Sequence, residues 1–186
     1  MVRARQENAM IAHLPHRTGR LLLRTLRLSD VDAFHGYRSR EDVARLQGWS
    51  PMTREQALDF LRGEATDAPL LPGTWRQIGI AAPDDVLVGD IGIHLSADRR
   101  VAEFGLSIDP RRQGQGLGTE AVRALVSLLL RHTPVATIVA ATDARNLSCL
   151  RMLDKAGLRM TGERTAVFKG ETCTERLFAI ERDDRR

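Results

Sequence analysis

The chain has 186 residues, 42% hydrophobic and 28% charged, with 28 Lys and Arg against 24 Asp and Glu for a net charge of +4. That length supports one hydrophobic core of ordinary size and argues against two full domains. A nucleic-acid module is disfavoured: aromatics are only 4%, none are interleaved with basic residues, and no zinc-finger or basic-region spacing occurs. Much of the basic excess lies in arginine pairs (Arg99/Arg100, Arg111/Arg112, Arg185/Arg186), a mild bias toward an anionic, phosphorylated ligand. Cys149 and Cys173 are too few and too irregularly placed for a disulfide framework or a metal knuckle, which points to a reducing, cytoplasmic setting. No run approaches the roughly 18 apolar residues of a membrane span, and the start MVRARQENAM lacks the apolar centre of a secretory signal. His13 and His16 have no partner cluster, so no metal is expected. The expected layout is an N-terminal arm over residues 1–18, one domain over 19–182 and a tail over 183–186.

In chain order, Arg20 to Leu28 alternates apolar and basic residues as a half-buried strand does. Ser29 is the expected cap of a first helix, with Val31, Phe34 and His35 on one face. Thr53 and Gln56 form a capping-box signature that opens a second helix, with Ala57, Leu58 and Leu61 inward. Between the two helices, LQGWSPM reads as a loop around Gly48, Trp49 and Pro51, and residues 67–73 read as another. Three strands follow, over residues 75–82, 86–95 and 101–108, separated by the turn signals PDD and SADRR: an antiparallel meander.

The period then changes. From Gly116 to Arg131, Leu117, Ala121, Ala124, Leu125, Leu128 and Leu129 fall at helical spacing, followed by Pro134 and a strand over 135–142. Strand, helix and strand in that order form a crossover unit. A short helix from Asn146 to Lys155 ends at Gly157, and two last strands are expected over 158–164 and 167–179. The fold class is α+β, with a central mixed, mostly antiparallel sheet flanked by helices.

The chemical signal sits where the third meander strand meets the long helix. Asp109-Pro110 leads into RRQGQGLG, and the helix begins inside that segment. Glycines at 114, 116 and 118 leave no side chain to block an approaching phosphate, and first-turn N–H groups have no internal acceptor. Their partial positive charge favours a diphosphate, with Arg111, Arg112 and the Thr119 hydroxyl as further contacts. No Lys-Ser/Thr follows, which disfavours a P-loop; no upstream parallel strand and later acid support a dinucleotide fold.

Gln113-x-x-Gly116-x-Gly118 resembles the Gln/Arg-x-x-Gly-x-Gly/Ala signature of the GNAT acetyltransferases. Arg111-x-x-Gly114-x-Gly116 fits as well; the later frame places Thr119-Glu120-Ala121 where a related branch carries the same residues. The likeness runs from Arg20 to about Ile180 and includes the asparagine-led helix of Ala144 to Leu158. Arg20-Leu-Leu-Leu-Arg-Thr-Leu and Gly89-Asp-Ile-Gly-Ile are similar to the RimJ/RimL type, the acetyltransferases of ribosomal-protein N-termini. The resemblance implies a splayed strand pair at the cofactor site and acetyl-CoA as cofactor, released as CoA, with no metal. Its diphosphate would lie on Arg111, Arg112, Gln113, Gly114, Gln115, Gly116, Leu117, Gly118 and Thr119. Leu106, Ser107 and Ile108 would meet the pantetheine and thioester, with Asn146 holding the pantetheine arm or a water. It further implies an amine acceptor, a small molecule or a protein N-terminus, and frequent pairing as a homodimer.

Candidate catalytic residues follow from the same likeness. Glu103 stands where family members carry the carboxylate that deprotonates the amine, although an exposed carboxylate or an ion pair is an equal reading. Asp90 and His94 are alternatives on the neighbouring strand. Many relatives have a tyrosine acid seven residues after the asparagine, and here that position is Leu153. Cys149, where the RimJ/RimL type has serine, and Ser148 are the substitutes; a buried structural cysteine is the competing reading. Trp49 either stacks on the acceptor or pins its loop, and His94 lies on the acceptor side. The missing tyrosine leaves a second functional class open, an acyl-CoA-binding sensor without turnover.

Overall fold

The computed structural model describes residues 10–182. Its strands are β1 (His16–Arg17), β2 (Leu22–Thr25), β3 (Trp75–Ala81), β4 (Leu87–Leu95), β5 (Val101–Ile108), β6 (Thr137–Asp143), β7 (Arg159–Phe168) and β8 (Glu171–Glu181). Helices α1 (Val31–Arg38), α2 (Glu41–Ala44) and α3 (Arg54–Glu64) separate β2 from β3, α4 (Leu117–His132) joins β5 to β6, and α5 (Leu147–Ala156) joins β6 to β7. All strands share one sheet in the order β1-β2-β3-β4-β5-β6-β8-β7. Only β5 and β6 run parallel; the other neighbours are antiparallel. This is the mixed, mostly antiparallel sheet that the pattern predicts.

The meander forms within one residue of its expected bounds, because its turns are written locally. Asp85 and Arg99 take φ of 68° and 61°, left-handed conformations that suit tight reversals between strands. The predicted stripe of α4 is buried as a unit, Leu117, Ala121, Ala124, Leu125, Leu128 and Leu129. It packs on the sheet face that carries Ile78, Ile80, Ile91, Ile93, Ala102 and Phe104, and the product is the main core. On the other face lies a smaller core around Phe34, Tyr37, Ala57 and Leu61. Alternation along β4 puts Asp90, the partner of Tyr37, opposite Ile91.

The first third of the chain departs from its expected pattern. Arg24 does not face solvent: it is 2% exposed, with its guanidinium on both oxygens of Asp30 at 2.8 Å and on Asp85. Removing a charge from water is tolerated only when it is paired in this way. Ser29 does not cap a helix. It lies inside a 3-10 turn, Leu28–Asp30, because Asp30 is drawn to Arg24 and the Arg27 amide. Three helices, not two, follow β2. The Thr53–Gln56 capping box is present in both directions.

At the C-terminal end the last hairpin turns at Lys169-Gly170, so Val167 belongs to β7 and not to the final strand. The lead-in packs: Met10 and Ile11 enter the main core, and the rings of His13 and His132 stack at 3.5 Å. Residues 1–9 of the expected arm and the 183–186 tail lie outside the described residues.

One topological feature positions everything that follows. β5 and β6 are joined only at Val101–Thr137, Ala102–Ile138 and Glu103–Val139. Beyond Glu103 they part, β5 staying with β4 to Ile108 and β6 with β8 to Asp143. A V-shaped opening results, with its apex at Glu103.

Candidate active site

The backbone of β5 has two audiences. Asp109 N donates to Val88 O and Ser96 N to Val101 O, each at 2.9 Å. Hydrogen-bonded pairs alternate along an antiparallel ladder, so odd-numbered residues of β5 bond to β4. Phe104, Leu106 and Ile108 therefore turn their N–H and C=O groups into the splay. Two of these carbonyls meet side-chain amides: Gln47 Nε2 donates to Leu106 O at 3.3 Å and Gln113 Nε2 to Ile108 O at 2.9 Å. Ser107 differs from its neighbours. Its backbone is engaged by β4, and its buried side chain shares a face with Asp90.

At the open end of the V the chain passes through a 3-10 turn, Pro110–Arg112, in which Asp109 accepts from the Arg111 amide. The Arg111 guanidinium folds back on Asp109 and holds that carboxyl below the usual range. Gly114 and Gly116 then take φ of 74° and 77°, which glycine adopts without steric cost. Gly116 is the N-cap of α4 and offers no side-chain acceptor. The first helical amide to find a backbone carbonyl is that of Glu120, on Gly116 O at 3.1 Å. The amides of Leu117, Gly118 and Thr119 come before it and lack an intrahelical partner.

The three glycines serve different ends. A Cβ on Gly114 would meet nothing within 4 Å, so this side of the loop is open. At Gly118 it would lie 3.5 Å from Met152 Cγ and 3.6 Å from Leu106 Cδ1, ordinary van der Waals contact, so α5 and β5 border the loop on that side. Arg112, Gln113 and Gln115 are exposed, and Thr119 is half-buried. The loop is braced from β2's approach: Arg20 donates to Gln115 O and to Glu120, and the Thr18 hydroxyl to Glu120 at 2.6 Å. Burial raises the Glu120 pKa, but these bonds outweigh it and hold the carboxyl below its ordinary value. An open groove of about 590 Å³ runs alongside, between His16, Arg17, Arg20 and Arg123. A bare helix end behind open glycines fits a diphosphate.

On the opposite sheet face two rows of residues cross β3, β4 and β5. One row is Trp75–His94–Glu103 and the next is Gln77–Gly92–Gly105. Gln77 and Trp75 lean over Gly92, where a Cβ would stand 2.6 Å from Gln77 Oε1 and 3.2 Å from Trp75 Cε3. Gly105 is exposed, and a Cβ there would meet nothing within 4 Å. The result is a trough beside the apex of the splay. The half-buried Glu103 and His94 stand at one end, with Trp75 tilted 5.5 Å from the His94 ring.

Asp90, weighed above as a base, is locked at the other end. It is fully buried and accepts from Tyr37 Oη at 2.8 Å, Gln77 Nε2 at 2.5 Å and the Arg38 guanidinium. Both carboxylate oxygens are engaged, Oδ1 by Tyr37 and Oδ2 by Arg38 and Gln77. Burial, with Asp90 beside it, pushes the Tyr37 hydroxyl well up, so this tyrosine stays neutral and structural. Arg38 in turn stacks on Trp49 at 4.4 Å and on Phe34 at 5.1 Å, which pins the half-buried Trp49 to the small core.

Asn146 is the N-cap of α5: its Oδ1 accepts from Cys149 N at 3.1 Å, leaving the side-chain NH2 unspent on the cap. Cys149 is half-buried. Burial pushes its thiol up against a smaller opposing effect of the Thr142 hydroxyl, so at neutral pH the sulfur keeps its proton. Ser148 beside it is exposed. Leu153, at the position of the family tyrosine, is 1% exposed and part of the main core. Gln47, Trp75, Gly105 and Lys169 are the residues of this region that the sequence reading passed over. Only the glycine of Gly105, interrupting a strand pattern, carries a local signal.

A splayed strand pair whose open end receives an uncapped, glycine-led helix is the arrangement that the acetyltransferase resemblance implies. The chain belongs to the GNAT acetyltransferases, since residues 20–159 match the acetyltransferase (GNAT) domain. An uncharacterized N-acetyltransferase of Bacillus subtilis, YnaD, is 25% identical over 146 residues, 78% of this chain and 82% of the relative. A GNAT-family acetyltransferase from Bacillus anthracis superposes with TM-score 0.80 at 23% identity, covering 89% of this chain and 96% of that one. The ribosomal L7/L12 alpha-N-protein acetyltransferase RimL, in complex with CoA, gives 0.76 at 17% identity over 90% and 97%. Spermidine N-acetyltransferase from Vibrio cholerae, with CoA and spermine, gives 0.75 at 16% over 88% and 96%. At these identities the superpositions establish the fold.

Proposed function

We propose that the protein transfers the acetyl group of acetyl-CoA to a primary amine, a protein N-terminus or a small molecule, by direct attack in a ternary complex. The observation that carries this reading is the bare N-terminus of α4 at the open end of the splay. The amides of Leu117, Gly118 and Thr119, with Gln115 and Gly116, hold the diphosphate. Arg112 adds charge from its exposed position, and Arg111 does so on leaving Asp109. The even-numbered backbone groups of β5 bind the pantetheine, with Gln113 and Gln47 yielding Ile108 O and Leu106 O as it enters. The Asn146 NH2 supports the same arm.

Acetyl-CoA supplies an acyl carbon activated as a thioester. The chain's own residues then manage protons and charge. Glu103, at the apex, takes a proton from the attacking amine, directly or through one water. A β5 amide facing the splay stabilises charge developing on the acyl oxygen. As the carbon–sulfur bond breaks, the Cys149 thiol gives its proton to the departing sulfur, with Ser148 or water as the alternative donor. His94, Trp75 and the Gly92–Gly105 trough receive the acceptor, and Trp49 walls it.

The RimJ/RimL type is our assignment of branch, supported by the sequence likeness and the RimL superposition. The spermidine enzyme superposes equally well, so the acceptor class includes polyamines. Free Cys149 and Cys173 agree with the cytoplasmic setting of this reading, and no helix among the described residues is long and apolar enough to cross a membrane. The buried Leu153 favours a second reading, a CoA-binding sensor. A panel of peptide N-termini, polyamines, aminoglycosides and amino acids separates the two by CoA release. Turnover on at least one class is expected; acetyl-CoA binding with background release on all of them would turn the assignment to a sensor.

A further inference from the structure

The tip of the β7–β8 hairpin reaches across to the acceptor wall. Lys169 Nζ donates to Ala44 O at 2.7 Å and to Trp49 O at 2.8 Å. These carbonyls bracket residues 44–49, so one ammonium ties both ends of that segment, the first part of the connection between α2 and α3. Within this segment Gln47 reaches Leu106 O in the splay, and the ring of Trp49, at one tie, lies over Arg38. Arg38 in turn holds Asp90, the residue behind the Gln77 that borders the trough.

The turn itself favours another residue at this position. Lys169 and Gly170 have φ of 51° and 81°, joining the Phe168–Glu171 pair. Two left-handed residues in a two-residue hairpin loop call for Asn-Gly or Gly-Gly, and a lysine there is uncommon. The turn does not call for this side chain, and its ammonium reaches two carbonyls more than a hundred residues away.

We propose that Lys169 is a positioning residue for the acceptor: it latches the 44–49 loop, and with it Gln47 and Trp49, over the trough. The inference rests on the trough being the acceptor site. Lys169 touches no reacting atom, so its loss acts on acceptor binding ahead of chemistry.

The test pairs Lys169→Met, which keeps the aliphatic stem and removes the donors, with Lys169→Arg, which restores a cation able to bridge both carbonyls. Trp49 reports on the loop through acrylamide quenching in a Trp75→Phe background. Lys169→Met is expected to raise Trp49 quenching. It should also raise the amine KM roughly tenfold, the scale of one lost charge-assisted hydrogen bond. kcat and the acetyl-CoA Kd should stay within about twofold, a margin well under one neutral hydrogen bond, and Lys169→Arg should recover both readouts. Unchanged quenching in Lys169→Met overturns the latch, as does an equal fall in kcat, acetyl-CoA affinity and Tm, which marks a scaffold role. If the wild type binds acetyl-CoA but turns over no amine, the acceptor reading fails by itself, and the quenching result still decides the latch.

Discussion

The two helices that flank the splay begin in opposite ways. At α5 the Asn146 side chain accepts from Cys149 N and closes the first turn on itself; at α3 Thr53 and Gln56 do so reciprocally. At α4 the cap is a left-handed glycine with no acceptor to offer, on the longest helix of the described chain. A glycine cap gives up a few tenths of a kcal/mol against a side-chain cap, stability that Asn146 and Thr53 supply at the other two helices. What α4 receives in exchange is a cluster of donors at the open mouth of the V. A helix end that satisfies itself braces the splay, and the one that does not is where the proposed function places the diphosphate.

Substitutions at these ends sharpen the contrast. The largest effect belongs to Gly116→Asp, which places a carboxylate at the proposed diphosphate site. Its left-handed φ costs about 1 kcal/mol for a residue with a Cβ, and Tm should fall by only about 3 °C on circular-dichroism melting, with the fold intact. Next comes Glu103→Gln at the apex. Loss of a general base costs about a hundredfold or more in kcat, while acetyl-CoA affinity should hold. An unaltered kcat would clear Glu103.

The smallest effects come from α5. Asn146→Ala removes cap and amide together, lowering Tm by about 3 °C for roughly 1 kcal/mol of lost capping and weakening acetyl-CoA. Asn146→Asp keeps the cap, because aspartate serves it equally well. It lacks the NH2, so Tm should recover while acetyl-CoA affinity stays down by about fivefold, near the net worth of one hydrogen bond. Affinity that recovers with Tm would reduce Asn146 to a cap alone.

How much of this was legible depends on the range of the interactions. The meander, the buried stripe of α4, the Thr53–Gln56 box and the glycine-led loop are written in adjacent residues, and the structure carries them almost unchanged. Arg24 was misread because its partners Asp30 and Asp85 are unrelated to strand periodicity. Met10 and Ile11 end a polar segment, yet they enter the main core. Asp90 reads as an alternative base until Tyr37, Arg38 and Gln77 close around it.

The acceptor side suffers most. Gln47 meets Leu106, and Lys169 meets Ala44 and Trp49, only once the sheet order is fixed, and no local pattern announces a contact between a hairpin tip and a loop at the other end of the chain. The phosphate side is the reverse case. Its chemistry is backbone chemistry, so glycines and a helix start suffice to mark it.

Calorimetric titration of wild type and Gly116→Asp with acetyl-CoA, side by side, tests the central claim most directly. The bare end of α4 as the diphosphate site predicts a single-site isotherm for the wild type and none for the folded variant. Comparable affinity in the two proteins would contradict it.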